Sequence, residues 1–316
     1  MSNLHVVFGA GPLGRAVVNE LVRRGQTVRV VSRSGVMAEA PQGVELRSGD
    51  LYNPAAVRDL TQGAAVAYQC AQPHYWEWPQ KFPPLQAAII EGLAGSGTKL
   101  VIGENLYMYG DTDGRPLTED LPHAAHTRKG QVRAAMSKAA LDAHHAGKVP
   151  VTLGRGSDFF GPWALGSSHG ERVFYPVLAG KSAGFGGKLD LPHTATYIED
   201  FGRALVILGE RDEALGQAWH VPNDRPQITQ RQFAELVFAE TGHPVKASGM
   251  GKTMLRLGGL FIPEARESVE MLYEFEKPFV VDSSRFEQTF GMKATPMAEA
   301  IKATVAWYRA HPQKKD

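Results

Sequence analysis

Near the start of the chain, Gly9-Ala10-Gly11-Pro12-Leu13-Gly14 sets three glycines at Gly-x-Gly-x-x-Gly spacing. That spacing serves anion holding rather than bond making. The first glycine permits a tight turn out of a strand, the second lets a pyrophosphate approach the backbone, and the third lets the following helix pack closely. Unpaired N–H groups at the helix start then face the anion. A chain with 34 glycines will produce such spacings by chance, so context decides. Here the motif follows an apolar run (4–8) and opens an amphipathic one. About twenty residues further on, a site selective for free ribose hydroxyls would carry a carboxylate; this chain has Ser32-Arg33-Ser34. A guanidinium there can clamp a 2′-phosphate that a carboxylate would repel, which favours NADP(H) over NAD(H).

Other reactive residues are less specific. HYWEWPQKF (74–82) brings two tryptophans to the end of a candidate strand, where Trp76 and Trp78 would wall or cover an apolar substrate pocket, or simply pack on a neighbouring helix. His123 and His126 lie in a Pro-rich loop, and His144 and His145 are adjacent near a helix end. Histidines near a helix end also complement its dipole, and no metal is expected.

The elements that must position these residues alternate. Short β-rich runs recur at 4–8, 27–31, 44–47, 64–70, 99–104 and 149–154. Helical periodicity lies between most of them, as in Val17/Leu21 and Val18/Val22, with Gly25 as a stop. Strands joined by helices pair in parallel and are covered on both faces. The expected fold class is therefore α/β, a doubly wound parallel Rossmann sheet with a smaller C-terminal substrate-binding region. The dinucleotide-binding part should span 1–165, with 190–222 and part of the C-terminus returning to it; 166–316 should be mainly the smaller region. Sequence 179–192 is Gly-rich and less regular, and 297–311 is an amphipathic helix with Ile301, Val305 and Tyr308 on one stripe.

The totals narrow the partners. Lysine plus arginine (34) nearly cancel aspartate plus glutamate (33), so no overall field points to nucleic acid or an anionic membrane. No apolar run approaches the ~18 residues needed to cross a bilayer, and the N-terminus lacks a signal-peptide pattern. The single cysteine, Cys70, excludes an internal disulfide framework and suits a reducing compartment. A cytoplasmic protein with a small-molecule substrate, and with neither nucleic acid nor membrane as partner, is expected.

Further motifs stand in a recognisable order: Gly49-Asp50-Leu51, AYQCAQP (67–73), ENLYMYGD (104–111), Arg155-Gly156-Ser157-Asp158-Phe159-Phe160-Gly161-Pro162, TATYIEDFGRAL (194–205) and the segment 282–308. With the glycine motif, this series resembles the short-chain dehydrogenase/reductase superfamily, in its extended or atypical branch related to nucleoside-diphosphate-sugar epimerases and dehydratases. ENLYMYGD is similar to the family's SSxxVYG segment and 155–162 to its RxxNxxGP turn. The resemblance implies that Asp50 and Leu51 flank the adenine and that Ala71 and Gln72 line the cofactor path. It also implies that Gly156 and Ser157 lie near the nicotinamide, with Asp158 facing the substrate. Relatives often form homodimers through helices flanking the fifth strand, although the Ala-rich helix around Lys138 suits a monomer equally.

The same resemblance exposes what is missing. Reductases of the family use a Ser or Thr with a Tyr-x-x-x-Lys pair. Matched in this way, Lys138 is the lysine, Ala134 occupies the tyrosine position and Asn105 the serine position. Hydride transfer to a carbonyl makes an alkoxide that needs a proton, and alanine has none to give; a positioned acid contributes ~10²–10⁴ in rate. Asn105 can still donate to a carbonyl oxygen and Lys138 to the nicotinamide ribose. Tyr107, where related dehydratases carry an acid/base residue, is the candidate proton donor, set against a tyrosine that only packs.

Three readings follow: an NADP(H)-dependent oxidoreductase on a small apolar carbonyl or alcohol, a non-catalytic NADP-binding sensor or scaffold, and a nucleotide-sugar epimerase or dehydratase. The third needs a phosphate clamp, for which Lys252, Arg256 and Arg266 are the clustered cations; the sequence around them (251–266) reads instead as a helix with an apolar face.

Overall fold

The computed structural model describes residues 4–253, 267 and 269–313. Its contacts divide the chain into two compact units. The first comprises Met1–Met108, Arg128–Gly156 and Glu199–Val221, the second Tyr109–Thr127, Ser157–Ile198 and Pro222–Asp316. Among the described residues no helix is long and apolar enough to cross a membrane. Arg256 and Arg266, with most of the segment expected to be helical around them, lie outside the described residues.

The first unit is built on a seven-stranded sheet. Its strands are β1 (Leu4–Phe8), β2 (Thr27–Ser32), β3 (Glu45–Ser48), β4 (Ala64–Gln69), β5 (Lys99–Glu104), β6 (Val151–Arg155) and β10 (Ala218–His220), in the order β10-β6-β5-β4-β1-β2-β3. Every pairing is parallel. The six strands read from sequence are present, with ends shifted by at most two residues. The seventh, three residues long, is too short to carry a period. Continuous apolar strands fit a sheet covered on both faces: Val6, Val7, Phe8, Leu100, Val101 and Ile102 are fully buried.

Helices α1 (Pro12–Arg23), α2 (Pro54–Leu60), α3 (Trp78–Leu93), α4 (Arg128–His145) and α6 (Ile198–Glu210) supply the cover. On one face Ile89, Leu93, Met136 and Ala140 pack against Ala67, Leu100, Ile102 and Leu153. On the other, Gly202 of α6 lies so close to Ala16 of α1 that a Cβ would collide with the Ala16 backbone. The chain runs outward from β1 to β3 and then returns to the other side of β1 as β4. Strand order thus reverses at β1/β4, and the strands' carboxyl ends there form the ligand crevice of such a sheet.

In the second unit β7 (Asp158–Phe160) pairs in parallel with β9 (Ala195–Tyr197), and β8 (Ala183–Gly186) with β11 (Ala247–Met250). Helices α5 (Glu171–Leu178), α7 (Gln230–Ala239), α8 (Ser284–Phe290) and α9 (Met297–Ala310) accompany them. Phe160, Phe174, Phe233, Ile301, Val305 and Tyr308 share one core, so the stripe read on the last helix is its buried face.

Two of the buried histidines, one in each unit, are held uncharged by burial. His5, whose Nδ1 lies 3.1 Å from the Tyr68 hydroxyl, is lowered to about 4 by burial. His169 is lowered to about 3 by burial and then by the neighbouring His193, against the pull of Asp158. The unfolded chain binds both protons near 6.5 and the folded chain does not, so stability should fall as pH drops from about 6.5 towards 4. The expected slope is up to about 1.4 kcal/mol per pH unit for each group. Urea unfolding between pH 7.5 and 5 measures it; His5→Gln and His169→Gln should each flatten the profile, and an unchanged slope would contradict the assignment. At the α1/α6 contact, Gly202→Ala should cost about 1–3 kcal/mol by overpacking, while Gly25→Ala tests only the backbone, since a Cβ there meets nothing within 4 Å.

Candidate active site

The glycine motif occupies the reversal point. Gly9 follows β1 with φ +106°, a conformation that favours glycine, and a Cβ there would approach the Ala71 nitrogen to 2.8 Å. A Cβ on Gly14 would collide with the Gly9 carbonyl oxygen. Gly11, the N-cap of α1, meets nothing within 4 Å, and Pro12 follows as the first helical residue. Two glycines thus allow contact and the middle one opens onto free space, where the N–H groups of the first helical turn can receive an anion. The cradle fits a dinucleotide diphosphate. Leu13 has a packing role, its Cδ2 lying 2.6 Å from where a Gly103 Cβ would stand.

At the end of β2 the Ser32 carbonyl accepts from Gly49 at 3.1 Å, tying that strand to the Gly-Asp-Leu segment. Arg33 and Asp50 are exposed, and Leu51 is buried. Asp50 Oδ1 accepts the Tyr52 N–H at 2.9 Å. Burial raises the Tyr52 phenol; Lys81 and Arg33 draw it down, while Glu77 and Asp50 lift it, so these side chains share one electrostatic neighbourhood. Ala71 is half-buried and Gln72 exposed. Gly156 donates to the Glu104 carbonyl at 3.0 Å. Ser157 belongs to the second unit, where its buried hydroxyl donates to the Thr194 carbonyl at 2.6 Å.

Helix α4 requires a correction. Lys138 does not join the buried group: its side chain is 73% exposed and pairs with Asp142 at 2.6 Å, one turn along the helix. The face turned inward carries Lys129, Arg133, Met136, Ser137 and Ala140. At 3.6 residues per turn Lys138 stands about 140° from Arg133. The four-residue Tyr/Lys spacing is occupied on the buried face by Lys129 and Arg133, five residues earlier than the sequence match placed it. Lys129-Gly130-Gln131-Val132-Arg133 has that spacing and was the signal missed.

Arg133 belongs to a buried ionic group. Arg155 Nε donates to Glu104 Oε2 at 3.1 Å and its Nη2 to the Ser137 hydroxyl at 2.6 Å. Arg133 Nη2 stands 3.5 Å from Glu104 Oε1. Burial lowers the Arg133 pKa, with Glu104 opposing and Arg155 reinforcing the shift. Its guanidinium centre lies 4.9 Å from the Phe82 ring centre and 5.8 Å from that of Trp78. Lys129 Nζ sits 4.5 Å from the centre of Tyr75.

Tyr107 adjoins this group. The Tyr75 hydroxyl donates to the Tyr107 hydroxyl at 3.4 Å, and the Trp78 and Tyr107 ring centres are 6.1 Å apart. Asn105 Oδ1 accepts the Tyr107 N–H at 3.4 Å. Trp78 is not a cover: it is buried in the first turn of α3 and packs edge-on to Tyr75. Trp76 is 39% exposed and stacks on His74. No metal-binding group of His, Cys, Asp or Glu occurs among the described residues.

In the second unit, Asp158 Oδ2 lies 2.8 Å from His193 Nε2, and His193 Nδ1 3.2 Å from the Glu274 carbonyl. The His193 ring stacks on Phe275 at 4.4 Å. Burial works to raise the Asp158 carboxyl, but the His193 hydrogen bond, nearby imidazoles and Ser168 bring it below its ordinary value. Glu274 is pushed well above the carboxylate range by burial and then by Asp158. The sequence suggested Asp158 alone; His193 and Glu274 reach it across 35 or more residues.

The model of the NAD dependent epimerase/dehydratase family matches residues 5–221. The chain resembles gox2253 with a TM-score of 0.78 at 17% identity, covering 99% of this chain and 100% of that one. It resembles the UDP-glucuronic acid 4-epimerase of Bacillus cereus in complex with UDP-glucuronic acid and NAD, with a TM-score of 0.78 at 15% identity over 98% and 100%. WbmH of Bordetella bronchiseptica, in complex with NAD+, gives 0.73 at 16% over 98% and 99%. No curated protein sequence matches the chain. At such identities the structural likeness is one of fold, but the family model covers more than half of the sequence, and the chain belongs to the NAD-dependent epimerase/dehydratase family.

Proposed function

We propose that the protein is an NADP(H)-dependent oxidoreductase acting on a small carbonyl or alcohol, with Tyr107 as proton donor. The first unit would hold the dinucleotide. The observation that carries this reading is the Tyr75–Tyr107 hydroxyl contact at 3.4 Å, next to Asn105 at the carboxyl end of β5. The backbone from Gly9 to Gly14 would receive the diphosphate, Asp50 and Leu51 the adenine, and Ala71, Gln72 and Gly156 the remaining path. Arg33, exposed at the end of β2, offers its fork to a 2′-phosphate. The bound cofactor supplies the hydride.

The chain's own residues handle charge and the proton. Asn105 can donate its amide N–H to the carbonyl oxygen as negative charge develops there. The Tyr107 phenol gives its proton to the resulting alkoxide, and the Tyr75 O–H, already directed at the Tyr107 oxygen, stabilises the phenolate left behind. Lys138, facing solvent with Asp142, has no part in this scheme. A nucleotide-sugar reaction ranks third: it needs a phosphate clamp, and the clustered cations Lys252, Arg256 and Arg266 stand in sequence that reads as a helix with an apolar face.

A non-catalytic NADP-binding sensor is the second reading, favoured by Lys129 and Ala134 where a tyrosine would be needed. Nicotinamide absorbance with a panel of aldehydes and ketones separates the two. Tyr107→Phe should lower kcat by about 10²–10⁴ and leave NADPH affinity unchanged. Tight NADPH binding with no turnover across the panel would favour the sensor. Arg33→Ala should weaken NADPH about tenfold or more, since hydrogen bonds to charged groups contribute about 1.5–3 kcal/mol, and should leave NADH binding nearly unaltered.

A further inference from the structure

Two guanidinium groups and one carboxylate are buried together between the sheet and helices α3 and α4. Arg155 is committed to Glu104 and Ser137. Arg133 is not: only 2% exposed, it leaves Nε and Nη1 without a hydrogen bond and reaches Glu104 only at 3.5 Å. The Trp78 indole N–H and Glu104 Oε1 near it are unbonded, and on the same face of the sheet the Gln69 amide is unbonded at both atoms. Gln69 and Glu104 end adjacent strands on the face that packs against Trp78 and Phe82, as alternation with Ala67 and Ile102 shows. Buried polar atoms are nearly always paired, so this concentration of open donors needs explaining.

The charge gives the explanation its sign. The carboxylate that acts on Arg133 is Glu104, which is already bonded to Arg155, and charge left poorly compensated is costly in a desolvated place. Water could accept hydrogen bonds here but could not neutralise the excess. The open atoms are mostly donors, two of them on the planar fork of an arginine, which matches a carboxylate with two parallel bonds. The walls are aromatic, with Trp78 and Phe82 beside the guanidinium and the half-buried Tyr75 and Tyr107 towards the surface.

We propose that Arg133 anchors the carboxylate of a flat, apolar organic acid, with the Gln69 amide and the Trp78 indole N–H as further donors and the acid's body lying along the aromatic walls. The substrate of the site is then an oxo or hydroxy acid. This second step rests on the oxidoreductase reading, whereas the binding of a carboxylate does not.

The test uses the full chain and needs no turnover. Benzoate, benzamide and phenyl phosphate are titrated calorimetrically, with and without saturating NADPH. Benzoate should bind about tenfold or more tightly than benzamide, reflecting the charge-assisted bonds, and at least as tightly as phenyl phosphate. Arg133→Gln should abolish the preference for benzoate over benzamide. Should that variant fail to fold, wild-type protein still decides: bound benzoate must show a nuclear Overhauser contact from its ring protons to the Trp78 indole N–H, assigned with Trp78→Phe. Equal binding of benzoate and benzamide, tighter binding of phenyl phosphate, or displacement of benzoate by NADPH would each overturn the proposal. Benzoate binding without turnover of any oxo acid would uphold the anchor and count against the oxidoreductase reading alone.

Discussion

The contact on which the first unit depends is the approach of Gly14 to the Gly9 carbonyl. Any side chain at Gly14 would strike that oxygen, so the first turn of α1 can sit directly over the end of β1 only with glycine there. The Gly9 turn in turn lies against the backbone of Ala71, which fixes the end of β4 relative to β1. Because strand order reverses between these two strands, the same contacts that close the packing leave a crevice at their carboxyl ends. Gly11 is spared any such contact. Packing and binding therefore draw on different glycines of one motif.

The parallel sheet delivers chemistry to the same edge. Just beyond the carboxyl ends of β1, β2, β4, β5 and β6 come Gly9, Arg33, Cys70 with Ala71, Asn105 and Gly156. Parallel strands share a direction, so loop residues far apart in sequence gather without a tertiary contact of their own. Residues on the covering helices obey a different rule. Their side chains reach the edge only from the face turned to the sheet, and Arg133 reaches it while Lys138 does not.

That difference marks how far the sequence could be read. The strands and the glycine turn were legible because apolar runs and glycine spacing are local signals. The exposure of Arg33 was legible because its position after β2 decides it. Helix α4 was not: it buries Lys129, Arg133 and Ser137 and exposes Ala135 and Ala139, so its hydrophobic period does not mark its inner face. A lysine at a familiar spacing from an alanine then looked like the family's pair, five residues out of register. Trp78 misled in the opposite direction, since an aromatic after a strand reads as loop until the helix that begins with it is known. The partners of Asp158 were out of reach for another reason: His193 meets its carboxylate, and the Glu274 carbonyl holds the other nitrogen of His193, through pairings that leave no periodic trace.

The departures from the family pattern are physically linked. Glu104 stands in a segment where the resemblance expects serine, and a lone carboxylate buried at the end of β5 would be untenable. Arg155 and Arg133 make it tolerable, and Glu104 does the same for them. Removing one member of such a buried set typically costs about 3–5 kcal/mol, because the remaining charge loses its partner. The three residues therefore constrain one another, and the Tyr107 phenol lies within electrostatic reach of Arg133. Together they form a complete, desolvated ionic group with donors left over, and it is on this group that the proposed proton donor and the proposed carboxylate ligand would both draw.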